Sequence, residues 1–129
     1  MHKRTWVEWI VIAIAVITLL SGLAQIIAPQ TALSTLGIGS NPPVTLLFAI
    51  VSIFTALFGG ALLHAMLTSE SQPVIVLWAG LQKIAGSSAV AIGVLQGVVA
   101  STALLVAGYD FLAGLFVLWY WLRIRSAPV

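Results

Sequence analysis

Two charged side chains interrupt long apolar runs of this sequence, and they are the residues best suited to chemistry. Lys83 lies inside VIVLWAGLQKIAGSSAVAIGVLQG, and Asp110 lies in the run that leads to the C-terminus. In an apolar surrounding, an ammonium and a carboxylate can form an ion pair, move a proton or hold a polar ligand. Lys83 and Asp110 are therefore candidates for an intramembrane charge pair or a ligand site.

Three secondary polar candidates also have ordinary structural interpretations. Glu8 lies about one helical turn inside the first apolar run, where it could pair with a basic residue of the MHKR terminus. His64 lies near the end of the second run, and a lone histidine there is more often interfacial than a haem or pigment ligand. Tyr109 precedes Asp110 and could help to bridge it to Lys83. Gln25, Gln82 and Gln96 complete the side chains of the runs that could take part in chemistry.

Several kinds of chemistry have no residues to support them. The chain contains no cysteine, which excludes disulfides, thiolate metal sites and cysteine nucleophiles. No set of nucleophile, base and orienting residue is present, and no paired spacing of metal ligands. The net charge is only +2, and four of the five Lys and Arg residues lie near the chain ends rather than in a patch, so nucleic-acid binding has no basis. The sequence favours a protein without a catalytic site, metal or cofactor.

The composition determines the solvent in which these residues lie. Hydrophobic residues make up 61% of the chain and charged residues 6%, whereas soluble domains have roughly 45–50% and about 25%. Because this small number of charged side chains cannot cover a globule of this size, most of its surface must face lipid. The expected fold is all-α: a polytopic membrane protein built as a bundle of four transmembrane helices.

Four apolar runs are long enough to cross a bilayer, and together they form one domain over residues 1–129. The unpaired backbone of any other structure is too costly in hydrocarbon, so the runs must be helical. The first exceeds the apolar core of a signal peptide and is expected to be retained. A tight turn near Val98 and Val99 should join the last two. The predicted spans are about 6–27, 44–67, 73–97 and 100–122, with a short interfacial helix at about 30–38.

The basic and aromatic residues predict the orientation. Lys3 and Arg4 precede the first span, and Arg123 and Arg125 follow the fourth, while the linkers expected on the other side carry no Lys or Arg. All five tryptophans map to the same level as these cations. Cytoplasmic segments are enriched in Lys and Arg, and aromatic belts mark the interfaces. We expect both termini in the cytoplasm and the protein in the cell (inner) membrane.

Helical spacing predicts that Lys83 and Asp110 meet. Counted from the turn, they lie 14 and 10 residues away, so their levels differ by about 6 Å, roughly the length of a lysine side chain. Each shares a face with small residues, which let helices approach closely in lipid. We expect Gly86 and Gly93 to be packing positions, and Phe111 and Leu115 to face lipid. If the two charges do not meet, Lys83 should lean toward Glu8 or toward water.

Three passages carry a resemblance to a known family. They are GLAQIIAPQTALSTLGIG at the end of the first span, LQKIAGSSAVAIGV in the third, and GYDFLAGLFVLWYWLRIR in the fourth. With these the chain resembles the small DoxX-like membrane proteins. The resemblance implies a four-helix fold without a settled activity, and some relatives are associated with quinol-linked oxidoreductase complexes or other redox partners. It assigns no residue a role beyond drawing attention to Lys83 and Asp110.

Three functional interpretations remain open from the sequence. The first is a protein without an evident catalytic site, either an accessory or assembly subunit or a small-ligand-binding bundle of the DoxX-like type. The second is a small dimeric proton-coupled transporter. The third is a membrane isomerase or lipid-binding bundle of the emopamil-binding type. The partners that these interpretations imply are the lipid bilayer, a second copy of the chain or a larger membrane complex.

Overall fold

The structure, a computed structural model, describes residues 3–126. All regular secondary structure in this part of the chain is helical. Its five helices are α1 (Trp6–Ile27), α2 (Pro29–Thr35), α3 (Pro42–Leu67), α4 (Pro73–Leu95) and α5 (Ala103–Arg125). The long helices α1, α3, α4 and α5 have 22 to 26 residues each and are apolar enough to cross a membrane. At about 1.5 Å per residue they measure roughly 33–39 Å, which exceeds the hydrocarbon core of a bilayer. The expected all-α bundle with four spans is confirmed.

Local sequence explains where the first two long helices begin. Thr5 caps α1: its hydroxyl accepts from the Glu8 backbone N–H at 3.3 Å, and the Glu8 carboxylate accepts from the Thr5 N–H at 3.1 Å. This reciprocal capping box is a structural role for Glu8. The Asn41 side chain caps α3 by accepting from the Val44 N–H at 3.0 Å. Because prolines suit the first helical turn, α3 begins at Pro42, two residues before the predicted start.

The connection between α4 and α5 is longer than the predicted tight turn. Gly97 has φ +74°, a left-handed conformation that favours glycine. The N–H of Val98 then donates to the Gly93 carbonyl at 2.9 Å, which ends the helix. As a result α4 ends at Leu95 rather than 97, and α5 starts at Ala103 rather than 100.

The four long helices form two antiparallel pairs, α1 with α3 and α4 with α5, each packed along its length. We call the end of the bundle with Thr5, the 68–72 connection and Arg125 the termini end, and the end with residues 28–41 and 96–102 the far end. Between the pairs, contact is sparser, and their shared apolar core lies toward the termini end. That core consists of Val11, Ile12, Ile14, Ala15, Leu62, Met66, Val76, Ala79, Ala113 and Val117.

Glycines bring the helices of the α1–α3 pair into close contact. A methyl group on Gly22 would lie 2.8 Å from the Ala56 Cα, and one on Gly59 would lie 2.9 Å from the Leu19 Cα. Real side chains do not occupy such positions, so each glycine permits a backbone-to-backbone crossing. Faces of small residues on α1 and α3 therefore pack against each other.

The expectation for Gly86 is wrong, and Gly93 packs against the connection that follows α4 rather than against another helix. Gly86 is exposed, and a methyl group there would have no neighbour within 4 Å. A methyl group on Gly93 would lie 2.9 Å from a Val99 methyl carbon. Gly86 shares its helix face with buried residues, but no part of the opposing pair contacts it. Phe111 and Leu115 are exposed, as expected for side chains that face lipid.

The predicted interfacial helix is α2, and it connects the two pairs at the far end. Leu33 is buried, and the helix ends before Gly37, which has φ +71°. The carbonyl of Leu36 accepts from the Ala100 N–H at 2.8 Å. This hydrogen bond joins the segment after α1 to the turn before α5, so the far ends of the two pairs are connected although their long helices diverge there.

Candidate functional site

The structure brings Lys83 and Asp110 together. The Lys83 Nζ lies 3.4 Å from the Asp110 Oδ1, across the interface of α4 and α5. The two side chains differ in burial: that of Lys83 is 5% exposed and that of Asp110 is 37% exposed. The ammonium is thus enclosed by protein, whereas part of the carboxylate remains open.

Small residues on α4 and α5 make room for the lysine. A methyl group on Gly114 would lie 3.0 Å from the Lys83 Cβ and 3.1 Å from the Gly80 carbonyl oxygen. Gly114 therefore lets α5 pass directly over the lysine stem. Lys83 also shares the buried face of α4 with Val76, Gly80 and Ser87. Along the bundle, Asp110 lies about one helical turn from the level of Lys83. The lysine side chain spans this difference of about 6 Å.

The partial exposure of Asp110 is unexpected from its place on α5. The buried face of α5 contains Ala103, Ala107, Gly114 and Val117, and Asp110 lies in the middle of this face at spacings of three, four and seven residues. A residue there points toward the other helices. Its side chain is nevertheless 37% exposed, so the neighbouring helices do not fully cover it at this level.

Neighbouring residues show the same opening. Val106 lies one turn from Asp110 toward the far end, on the same side of the helix, and is 59% exposed. Gly86 on α4, one turn beyond Lys83, is open as well. We call this space between the two helix pairs, on the far-end side of Lys83, the inter-pair gap. The packed core lies on its termini-end side, and the Leu36–Ala100 hydrogen bond joins segments of the two pairs at the far end.

The α1–α3 pair has its own polar contact in the far-end half. The Ser52 hydroxyl lies 3.0 Å from the Gln25 Oε1 and 2.8 Å from the Phe48 carbonyl. Nothing in the sequence pairs Gln25 with Ser52, because this contact depends on the crossing at Gly22. It gives α1 and α3 a fixed register at this level.

The secondary candidates do not converge on the charge pair. Tyr109 is next to Asp110 in the chain and partly exposed, and His64 is exposed in the last turn of α3. Glu8 lies at the termini end, beside Tyr120. Tyr120 is ten residues beyond Asp110, about 15 Å along α5. The alternative in which Lys83 leans toward Glu8 is therefore wrong, and the two acids do not form one site.

Within residues 3–126, no group of three or more histidine, aspartate and glutamate side chains could hold a metal ion. The charge pair supplies one carboxylate and one ammonium, and an ammonium has no lone pair with which to bind a cation. Chemically, the arrangement can accept a hydrogen bond at the carboxylate.

The structure contains a second polar site, at the termini end, that the sequence did not predict. It is an open cleft of about 880 Å³ between the ends of α1, α3 and α5 and the 68–72 connection. Arg4, Glu8, Glu70, Tyr120 and Arg125 are among its lining residues. The sequence contained one signal for it, since an even number of spans brings these distant segments to the same end.

Aromatic residues surround the bundle at this same end. Trp6, Trp9, Trp78 and Trp119 are all exposed. Three arginines stack on aromatic rings: Arg4 over Trp9 at 5.8 Å, Arg123 over Trp119 at 5.0 Å, and Arg125 over Trp121 at 4.7 Å. Such pairs are typical of a membrane–water interface, where the ring meets lipid and the cation meets headgroups and water.

Four apolar helices, a charge pair within them and an aromatic belt at one end define the class: this is a multi-pass integral membrane protein with an all-α bundle fold. Comparison with protein-family models, curated proteins and solved structures found no match for the chain.

Proposed function

We propose that this protein is a small-ligand-binding membrane bundle that holds an apolar molecule with one hydrogen-bond-donating group in the inter-pair gap. The observation that carries the proposal is the open Asp110 carboxylate in the middle of the inward face of α5. Charged side chains at membrane depth are costly and face protein, water or a functional cavity. A carboxylate that is only partly covered by its own bundle is therefore suited to an additional partner.

The charge balance of the site favours a neutral ligand. Lys83 already compensates the charge of Asp110 at 3.4 Å, so a cationic ligand would leave the site with a net positive charge in a medium that stabilises charge poorly. A hydroxyl group can donate to the carboxylate without changing the total charge. The remaining surroundings include Val106 and the open backbone at Gly86, which suit an alkyl or isoprenoid chain.

A photo-crosslinking experiment tests the proposal. The probe is a long-chain fatty alcohol with a diazirine in its chain, added to the full chain in lipid nanodiscs, and the crosslinks are mapped by mass spectrometry. We expect them to concentrate at residues 86–93 and 103–110. The Lys83→Met/Asp110→Leu double variant keeps the site electrically neutral but has no acceptor for the hydroxyl, so labelling there should fall several-fold.

Two controls make the result specific. A diazirine alkane without the hydroxyl should label the gap less than the alcohol does. Leu105→Ala, a change on the exposed face of α5, should leave alcohol labelling unchanged. Equal labelling by both probes, or crosslinks spread evenly over the exposed faces, would show that the gap contains only bulk lipid and would contradict the proposal.

We further propose that both termini lie in the cytoplasm and that the protein resides in the cell membrane. The support is the excess of Lys and Arg at the termini end, together with the stacked arginine–tryptophan pairs. Reporter fusions at residue 129 and in the 36–41 segment should report the cytoplasm and the opposite side, respectively. A C-terminal reporter that is active only outside the cytoplasm would reverse this topology.

Membership of the DoxX-like group also remains a proposal. What supports it is the order of features along the chain: a short helix after the first span, a lysine in a glycine-containing third span, and an acid in the fourth span before an aromatic and basic exit.

A further inference from the structure

The cleft at the termini end contains charges of both signs. Arg4 and Arg125 contribute two cations to its lining, and Glu8 and Glu70 contribute two anions. Apolar side chains, including Val76 and Ile124, form another part of the lining. We propose that this cleft binds the headgroup of a zwitterionic phospholipid that carries a phosphate and a primary amine.

The level of the cleft makes a lipid the fitting occupant. Exposed Trp6, Trp9, Trp78 and Trp119 lie at the same end of the bundle and mark the depth of the bilayer interface. Phospholipid headgroups therefore surround the opening of the cleft at high local concentration. The apolar part of the lining can contact the start of an acyl chain while the charged part contacts the headgroup.

Both arginines that line the cleft keep N–H donors for a phosphate. The Arg4 Nη2 donates to the Met66 carbonyl at 3.4 Å, and its guanidinium lies 5.8 Å from the Trp9 ring centroid. The Arg125 guanidinium lies 4.7 Å from the Trp121 ring centroid. These contacts restrain both side chains, and a guanidinium has five N–H donors, so donors remain for phosphate oxygens.

The remaining groups favour a primary ammonium over a quaternary one. Quaternary ammonium groups are recognised by several aromatic faces arranged as a cage. Among the described lining residues, Tyr120 is the single aromatic one. Carboxylates and hydroxyls are present instead, from Glu70, Thr68, Ser69 and Ser71. Each can accept a hydrogen bond, and a primary ammonium has three to donate whereas a quaternary one has none.

The test measures lipid binding to the full chain in detergent by native mass spectrometry. Phosphatidylethanolamine should bind about tenfold more tightly than phosphatidylcholine or phosphatidylglycerol, since one charge-assisted contact is worth about a factor of ten. Glu70→Gln should remove the preference for ethanolamine over choline. Arg125→Gln should weaken the binding of all three lipids. Both side chains are exposed, so both variants should fold.

Arg123→Gln is the matched control, because Arg123 also stacks on a tryptophan but does not line the cleft. It should leave binding unchanged; an effect equal to that of Arg125→Gln would indicate only general surface charge and overturn the proposal. Equal binding of all headgroups, or tightest binding of phosphatidylglycerol, would also overturn it. So would displacement of the lipid by micromolar phosphoethanolamine, because that would assign the site to a water-soluble amine phosphate.

Discussion

Asp110→Leu is expected to lower the free energy of unfolding by about 3 kcal/mol, the lower end of the range for breaking a buried ion pair. The variant leaves the Lys83 ammonium without its partner at 3.4 Å, in a place where the side chain is only 5% exposed. The lysine must then stay charged in an apolar surrounding or give up its proton, and both are unfavourable. Denaturation followed by tryptophan fluorescence in detergent measures the loss.

Lys83→Met should cost about half as much, because the charge that it leaves behind is the more exposed of the two. Asp110 is 37% exposed toward the inter-pair gap, where water or a ligand donor can reach it. Spacing along the two helices gives no reason for the two single substitutions to differ. The difference in burial is the reason to expect them to be unequal.

The Lys83→Met/Asp110→Leu double variant completes the cycle and should recover a substantial part of the larger loss, because no unpaired charge remains. Simple addition of the two single losses would mean that the residues are not energetically coupled, whatever their distance. A larger loss for Lys83→Met than for Asp110→Leu would contradict the assignment of Lys83 as the buried member.

Gly59→Val is the second substitution with a large expected effect: we expect a loss of about 3 kcal/mol or more, at the upper end of overpacking costs. The first added carbon would already lie 2.9 Å from the Leu19 Cα. Backbone cannot move aside as a side chain can, so α1 and α3 must separate. Their shared contact between Ser52 and Gln25 should weaken as a result. Melting temperature in detergent is the measurement.

Gly60→Val is the matched control in the same helix. A methyl group on Gly60 would meet only the Leu19 Cδ1, at an ordinary distance of 3.9 Å. Gly86→Val on α4 should be equally mild, since nothing lies within 4 Å of that position, and surface substitutions typically change stability by within about 0.5 kcal/mol. If Gly86→Val is as damaging as Gly59→Val, the two helix pairs must be in contact at that level, and the inter-pair gap does not exist.

The meeting of Lys83 and Asp110 was predictable because it depends on only two helices joined by a short connection. Helical rise and phase are nearly constant, so spacing from the turn indicates both the level and the face of each residue. The start of α3 at Pro42 and the end of α4 at Leu95 were harder to predict from the sequence. They depend on capping by Asn41 and on the left-handed Gly97, which a hydropathy pattern does not distinguish.

What the sequence by itself determined was the solvent, the number of spans and the partner of Lys83, because composition, length and helical period are local properties. Only the tertiary structure decided where the helix pairs separate. That separation leaves Gly86 open and Asp110 half covered. Each pair is held by its own glycine crossings, whereas within residues 3–126 the pairs share a core toward the termini end and a hydrogen bond from Ala100 to Leu36. The angle between two such pairs is set by contacts distant in sequence, which no spacing rule encodes.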